Sequence, residues 1–150
     1  MKFVHTNLVA RNWKLLSEFY INVFECKPVL PERNLKGEWL ERGTGVKNAS
    51  LRGIHLFLPG YDEDGPTLEI FQYQKNEDKP DTIANREGFG HIAFSVENVE
   101  AVLEKMVLHG GATLGEVVRK DNAGGTLIFT YAKDPEGNII ELQTWELEKT

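Results

Sequence analysis

Gly88-Phe89-Gly90-His91-Ile92-Ala93-Phe94-Ser95-Val96 opens the second half of the chain. It reads as a strand with one histidine on it, and it has an echo 86 positions earlier. Laid over the N-terminus without a gap, His91 falls on His5 and Asn98 on Asn12. The helix-like run from Asn98 to Met106 then lands on the run from Asn12 to Tyr20. Each half also closes on a strand with a glutamate in it, Leu68-Glu69-Ile70-Phe71 in the first and Ile140-Glu141-Leu142 in the second. Two halves, each opening on a histidine strand and ending on a glutamate strand, supply a two-His, two-Glu constellation.

Working outward from that repeat, the first half opens on apolar residues fit for a buried strand, with positions 3, 5 and 7 on one face. Asn12 is placed to cap a helix over 13–25, in which Trp13, Leu16, Phe19, Tyr20, Val23 and Phe24 form one apolar stripe. The helix is expected to stop before Pro28. Strands are read at 38–40 and 50–58, with Gly43-Thr44-Gly45 as punctuation between them, and a polar loop at 59–66 leads to a strand at 67–73. On that last strand Glu69, Phe71 and Tyr73 share a face. The polar segment 74–87, with Pro80 inside it, is the natural joint. The second half repeats the order: strand 90–96, a helix capped by Asn98 and ended by Gly110-Gly111, strands at 115–120 and 126–132, a turn at Asp134-Pro135-Glu136-Gly137-Asn138, and strand 139–145. This predicts an α+β fold of two tandem βαβββ modules, about 1–75 and 88–146, within one domain spanning 1–150.

A glutamate in the middle of an apolar strand is costly unless it is paired or bound, because its carboxylate is desolvated there. Taken singly, Glu69 and Glu141 read as outward-facing strand carboxylates, and His5 and His91 as hydrogen-bonded core histidines. Taken together, in equivalent places of two repeats, they read as a site. The His-to-Glu separations, 64 and 50 residues, differ by an amount that longer loops in the first half accommodate. Two imidazoles and two carboxylates suit one borderline divalent ion (Zn, Ni, Co, Mn or Fe(II)) with positions left for two waters or a chelating substrate. Closed structural zinc sites favour tetrahedral, often sulfur, donor sets, and the chain has one cysteine.

The chain of 150 residues is 41% hydrophobic, enough for a real core, and its formal net charge of −6 is spread without a basic cluster. Nucleic acid is thereby an unexpected partner. No apolar run approaches the length of a membrane span, and the N-terminus lacks a signal-peptide pattern, so a cytoplasmic protein with a small-molecule substrate is expected. Cys26 stands alone and reads as a small buried hydrophobe. His109, at a helix end, reads as a dipole-facing or solvated residue. His55 lies in a strand with parity opposite to Ile54 and Leu56, and is read as structural rather than as part of the cavity.

These motifs together, His5-Thr6, Glu18-Phe19-Tyr20, Leu68-Glu69, the Gly90-His91-Ile92 strand and Asp134-Pro135-Glu136-Gly137-Asn138-Ile139-Ile140-Glu141-Leu142, resemble the vicinal oxygen chelate superfamily, glyoxalase I and its relatives above all. The resemblance implies a curved sheet around one divalent metal held at His5, Glu69, His91 and Glu141. It further implies a lyase or isomerase in which a metal-site glutamate, Glu141 or Glu69, takes a proton from the carbon beside a chelated carbonyl. A homodimer is implied as well, with the site built within one chain or across two. Two positions depart from bacterial glyoxalase I, where an arginine and an asparagine usually help to hold glutathione. Here they are Val9 and Tyr73, so weak activity with a glutathione cosubstrate is expected. The alternatives within the superfamily are a methylmalonyl-CoA epimerase-like isomerase, in which Gln usually stands at the place of Glu69, an extradiol dioxygenase-like oxygenase, and a metal-free drug-binding module of the bleomycin-resistance type.

Overall fold

In the computed structural model, residues 1–147 are described, and they separate into two compact units, Met1–Lys79 and the chain from Pro80 on. The first contains β1 (His5–Val9), α1 (Trp13–Phe24), β2 (Lys27–Lys36), α2 (Glu38–Thr44), β3 (Ser50–Phe57) and β4 (Thr67–Tyr73). Its four strands lie in the order β1-β4-β3-β2, with β1 parallel to β4 and the other pairs antiparallel. The second unit contains β5 (Ile92–Ser95), α3 (Val99–Leu108), β6 (Ala112–Thr113), β7 (Val118–Asn122), β8 (Gly125–Lys133) and β9 (Ile139–Leu147). There β5 runs parallel to β9, β9 pairs antiparallel with β8, and β6 and β7 both pair with β8. The two units thus share one plan, a strand that begins at His5 or just after His91 lying parallel to a glutamate strand, within a mixed α+β fold.

Helix α1 forms where expected, for local reasons. The Asn12 side chain accepts a hydrogen bond from the Leu15 amide at 3.2 Å, and Glu25 closes the other end in a left-handed conformation (φ 59°). Its stripe of Trp13, Leu16, Phe19, Tyr20, Val23 and Phe24 is buried, as are Ile54, Leu56, Leu68 and Ile70 on the alternate positions of β3 and β4 against which it packs. Each such side chain contributes about 1.5–3 kcal/mol by leaving water. Helix α3 starts the same way, with Asn98 accepting from the Ala101 amide at 2.8 Å, but it buries only Val99 and Met106 fully. Cys26 is 2% exposed, and desolvation pushes its thiol up to about 12.

Two readings from sequence are corrected. Residues 38–40 are not a strand: they begin α2, which Gly37 precedes at φ 114° and Gly45 ends in a left-handed cap, with Glu38 and Glu41 in the first turn and Arg42 in the last. Acidic residues at the start and a basic one at the end complement the helix dipole. Leu40 packs with Ala49 and Leu51, and Leu35, Phe71 and Tyr73 close around that cluster. The strand that pairs with β3 is instead β2, which the prolines at 28 and 31 disguised. It is the edge strand of its sheet, with a register break between Val29 and Arg33, and an edge tolerates proline because one row of amides needs no partner.

Candidate functional site

In the first unit the parallel pairing sets Asn7 opposite Glu69, so His5, two residues earlier on the same face, reaches the carboxylate from one side. Antiparallel pairing sets His55 of β3 opposite Glu69 on the other side. The result is a carboxylate gripped at both oxygens. His5 Nε2 stands 3.4 Å from Oε2, to which Asn7 Nδ2 also donates at 3.4 Å, and His55 Nε2 stands 3.2 Å from Oε1. Glu69 is buried, so these contacts replace the water it lost. Desolvation lowers the pKa of the His55 imidazole; Glu69 opposes the shift, while Arg33 and His5 add to it. The His55 ring is steadied by Phe71, whose ring lies 5.5 Å away edge-on, and Phe71 itself lies over Gly53. A Cβ at Gly53 would come within 2.6 Å of the Phe71 ring and 2.1 Å of the Ile70 carbonyl oxygen, so this position has no room for a side chain.

His55, which strand parity sets apart from Ile54 and Leu56 but which reads as structural in the sequence, is brought against Glu69. Its odd position among Leu51, Gly53 and His55 was the available signal, but only the register across the 59–66 loop reveals that it faces Glu69.

The second unit repeats the arrangement more sparsely. Ala93 lies opposite Glu141 in the parallel pair, and His91, two residues earlier, brings Nε2 to 2.9 Å from Glu141 Oε2. On the antiparallel side Tyr131 lies opposite Glu141, but its ring packs on His91 at 4.8 Å between centroids. The strand bearing Glu141 is launched by the Asp134 turn. Asp134 Oδ1 accepts from the amides of Glu136 and Asn138, both at 2.9 Å, and Gly137 turns at φ 81°.

Nitrogen and oxygen donors bound at about 2.0–2.2 Å and at right angles lie about 3 Å apart, so the separations in both His–Glu pairs match one edge of a metal's coordination shell. Without an ion the same atoms form histidine–carboxylate pairs, and a metal would require the liganding imidazole nitrogen to be unprotonated. Each unit therefore offers a pair of donors that fits a borderline divalent ion. Among the described residues no three His, Cys, Asp or Glu side chains are grouped to hold one. In the first unit His5 and His55 stand at different oxygens of Glu69. A polar cleft of about 480 Å³ in the same unit, lined by Trp13, Asn34, Lys36, Arg52, Gln72 and Tyr73 among others, includes none of the three. Val9, on the His5 face of β1, is half exposed, and Tyr73 is engaged in the packing around Leu40. His109 is exposed, and its Nδ1 lies 2.8 Å from the Lys105 carbonyl oxygen at the end of α3. Among the described residues no helix is long and apolar enough to cross a membrane.

Comparison with known proteins agrees with this architecture. A glyoxalase family protein from Bacillus cereus has the same fold, with a TM-score of 0.75 at 21% identity over 97% of this chain and 93% of that one. A glyoxalase family protein from Enterococcus faecalis aligns with a TM-score of 0.58 at 24% identity over 95% of each chain. A lactoylglutathione lyase of Escherichia coli O157:H7 is 39% identical over 54 residues, which is 36% of this chain and 38% of that enzyme. A lactoylglutathione lyase of Shigella flexneri matches to the same extent, so the match spans little more than a third of these curated relatives. The family profile of the Glyoxalase/Bleomycin resistance protein/Dioxygenase superfamily matches residues 2–142, and the chain belongs to that superfamily.

Proposed function

We propose that this protein is a metal-dependent lyase or isomerase that removes a proton from the carbon beside a carbonyl of a small oxygen-chelating substrate. His5, Glu69, His91 and Glu141 are the residues that would hold the ion. The observation that carries the reading is the repetition of one local geometry. In both units a glutamate lies opposite the residue two beyond a histidine, and the imidazole Nε2 lies 2.9–3.4 Å from its carboxylate. A binding module of the same superfamily has no need to keep such pairs twice.

An ion held by His5, Glu69, His91 and Glu141 would supply Lewis acidity for the negative charge that develops as the proton leaves. The proton itself goes to a side chain. Glu141 is the proposed base, supported by its sparser surroundings: among the described residues of its unit His91 is the polar partner at its carboxylate, whereas Glu69 is engaged at both oxygens. A base must move and change its hydrogen bonding during turnover, which a carboxylate held at both ends does poorly. Tyr131, packed on His91, fixes that ring and shields the pair on one side.

A glutathione hemithioacetal is not the proposed substrate. The Val9 side chain offers no hydrogen bond and Tyr73, partly packed against the Leu40 cluster, has a phenol in place of an amide, and each missing pairing to a charged group weakens binding by about 1.5–3 kcal/mol. The working form is proposed to be a homodimer, as the superfamily resemblance implies.

The deciding experiment is metal analysis of the wild type beside His91→Ala and Glu141→Ala, followed by metal-loaded assays on the hemithioacetal and on a 2-substituted acyl-CoA. Stoichiometric metal in the wild type and its loss in the variants is the expected result. Equal occupancy in all three ends the assignment, and hemithioacetal turnover above about 10⁴ M⁻¹s⁻¹ would overturn the substrate argument. Mixing His5→Ala chains with Glu141→Ala chains tests the dimer. Metal binding regained on proven chain exchange indicates sites shared between chains.

A further inference from the structure

We propose that His55 is a positioning residue for Glu69: it donates its Nε2–H to Oε1, turning Oε2 toward His5 as the single metal-binding oxygen. The inference rests on the metal reading above and extends it to a residue outside the four-donor set.

Three observations carry it. First, the contacts divide by oxygen. His55 Nε2 lies 3.2 Å from Oε1, while His5 Nε2 and Asn7 Nδ2 both lie 3.4 Å from Oε2. This division is what a monodentate Glu69 requires, with one oxygen left for the ion beside His5 and the other for a hydrogen-bond donor. Second, His55 is itself held. Its backbone is fixed opposite Glu69 by the β3–β4 ladder, and Phe71 packs edge-on against its ring in the space that Gly53 leaves open. Third, the equivalent place in the other unit is filled by Tyr131, whose ring lies against His91. The donor to the second oxygen is therefore a particular feature of the first unit. A neutral imidazole has one N–H, so a donor at Nε2 fixes the tautomer and leaves Nδ1 unprotonated. Outer partners of this kind orient a ligand carboxylate and raise metal affinity by ten- to a hundredfold.

The test compares wild type, His55→Leu and His55→Gln, all checked for folding by near-UV circular dichroism. Gln keeps an N–H donor at about the reach of Nε2, whereas Leu removes it. Competition titration with Zn²⁺ is expected to show one ion bound by all three proteins, with affinity ten- to a hundredfold weaker in His55→Leu and mostly restored in His55→Gln. In the Co²⁺-loaded proteins, paramagnetically shifted N–H resonances are expected to count two coordinated imidazoles in the wild type and in His55→Leu. Unchanged affinity in His55→Leu overturns the proposal. So does a third coordinated imidazole in the wild type that disappears in the variant, because His55 would then be a ligand. A metal-free measurement separates this failure from failure of the functional reading. Long-range ¹H–¹⁵N spectra should find His55 as the Nε2–H tautomer, and the Nδ1–H form overturns the hydrogen bond whatever the metal does. Wild-type protein that takes up no ion overturns the functional reading and the metal role of His55 together, while the tautomer still decides whether His55 orients Glu69.

Discussion

Glu69 and Glu141 occupy the same place in two copies of one strand pairing, yet their neighbours differ. Around Glu69 stand His5, Asn7 and His55, so both oxygens are engaged and the side chain is buried. Around Glu141 the corresponding positions hold His91, Ala93 and Tyr131, and of these three His91 makes the polar contact. A repeat supplies two carboxylates of like geometry, and Ala93 and Tyr131 stand where Asn7 and His55 stand around Glu69. On the proposed function, this difference in surroundings is what would separate a held metal ligand from a base.

The most severe way to break that comparison is to neutralise each carboxylate in turn. Glu141→Gln should lower kcat by about 10²–10⁴-fold, the usual worth of a general base, whereas Glu69→Gln should act mainly on metal affinity, measured by titration. Equal losses of kcat in the two variants would falsify the division of roles. A second experiment makes the units alike. Ala93→Asn with Tyr131→His gives Glu141 the neighbours of Glu69, and is expected to raise metal affinity by roughly tenfold while lowering kcat. Gain in both would show that a firmly held Glu141 still serves.

The packing beside the sites offers a smaller effect. Gly53→Ala should destabilise the protein by about 1–3 kcal/mol, read from the denaturant midpoint, because the new methyl group meets Phe71 and the Ile70 carbonyl. A matching change at Gly43, where an added Cβ meets nothing within 4 Å, should have little effect on stability. An unshifted midpoint in Gly53→Ala would mean that the strands part at little cost there. The units should differ in local stability as well, since α1 buries seven residues and α3 two. Amide exchange in α3 is expected to be faster than in α1, and the reverse order would contradict the burial argument. Smallest of all is the response of Cys26. It is the one cysteine of the chain, and with its thiol pushed up to about 12 it should resist alkylation at pH 8 in native protein and react on unfolding. It thus reports opening of the first unit; rapid native labelling would contradict its burial.

The sequence by itself determined what depends on neighbours along the chain. Asn12 and Asn98 cap their helices through amides three residues on, the apolar stripe of α1 shows in its spacing, and the Asp134 turn is written in its proline, glycine and asparagine. The pairing of His5 with His91 also shows in one dimension, because a single offset superimposes two histidines and two helix caps, while Glu69 and Glu141 stand out only as carboxylates within apolar strands. Tertiary structure alone decided what depends on pairing across space. Strand β2 carries prolines that argue against a strand until its place at the sheet edge is known, and α2 hides behind three residues that look extended. His55 reads as one more strand residue until the β3–β4 register sets it against Glu69 Oε1. Strand parity says only that a side chain points to one face or the other. Which face holds a partner, and which oxygen of that partner is reached, follows from how two strands align across a loop whose length in sequence does not fix their register.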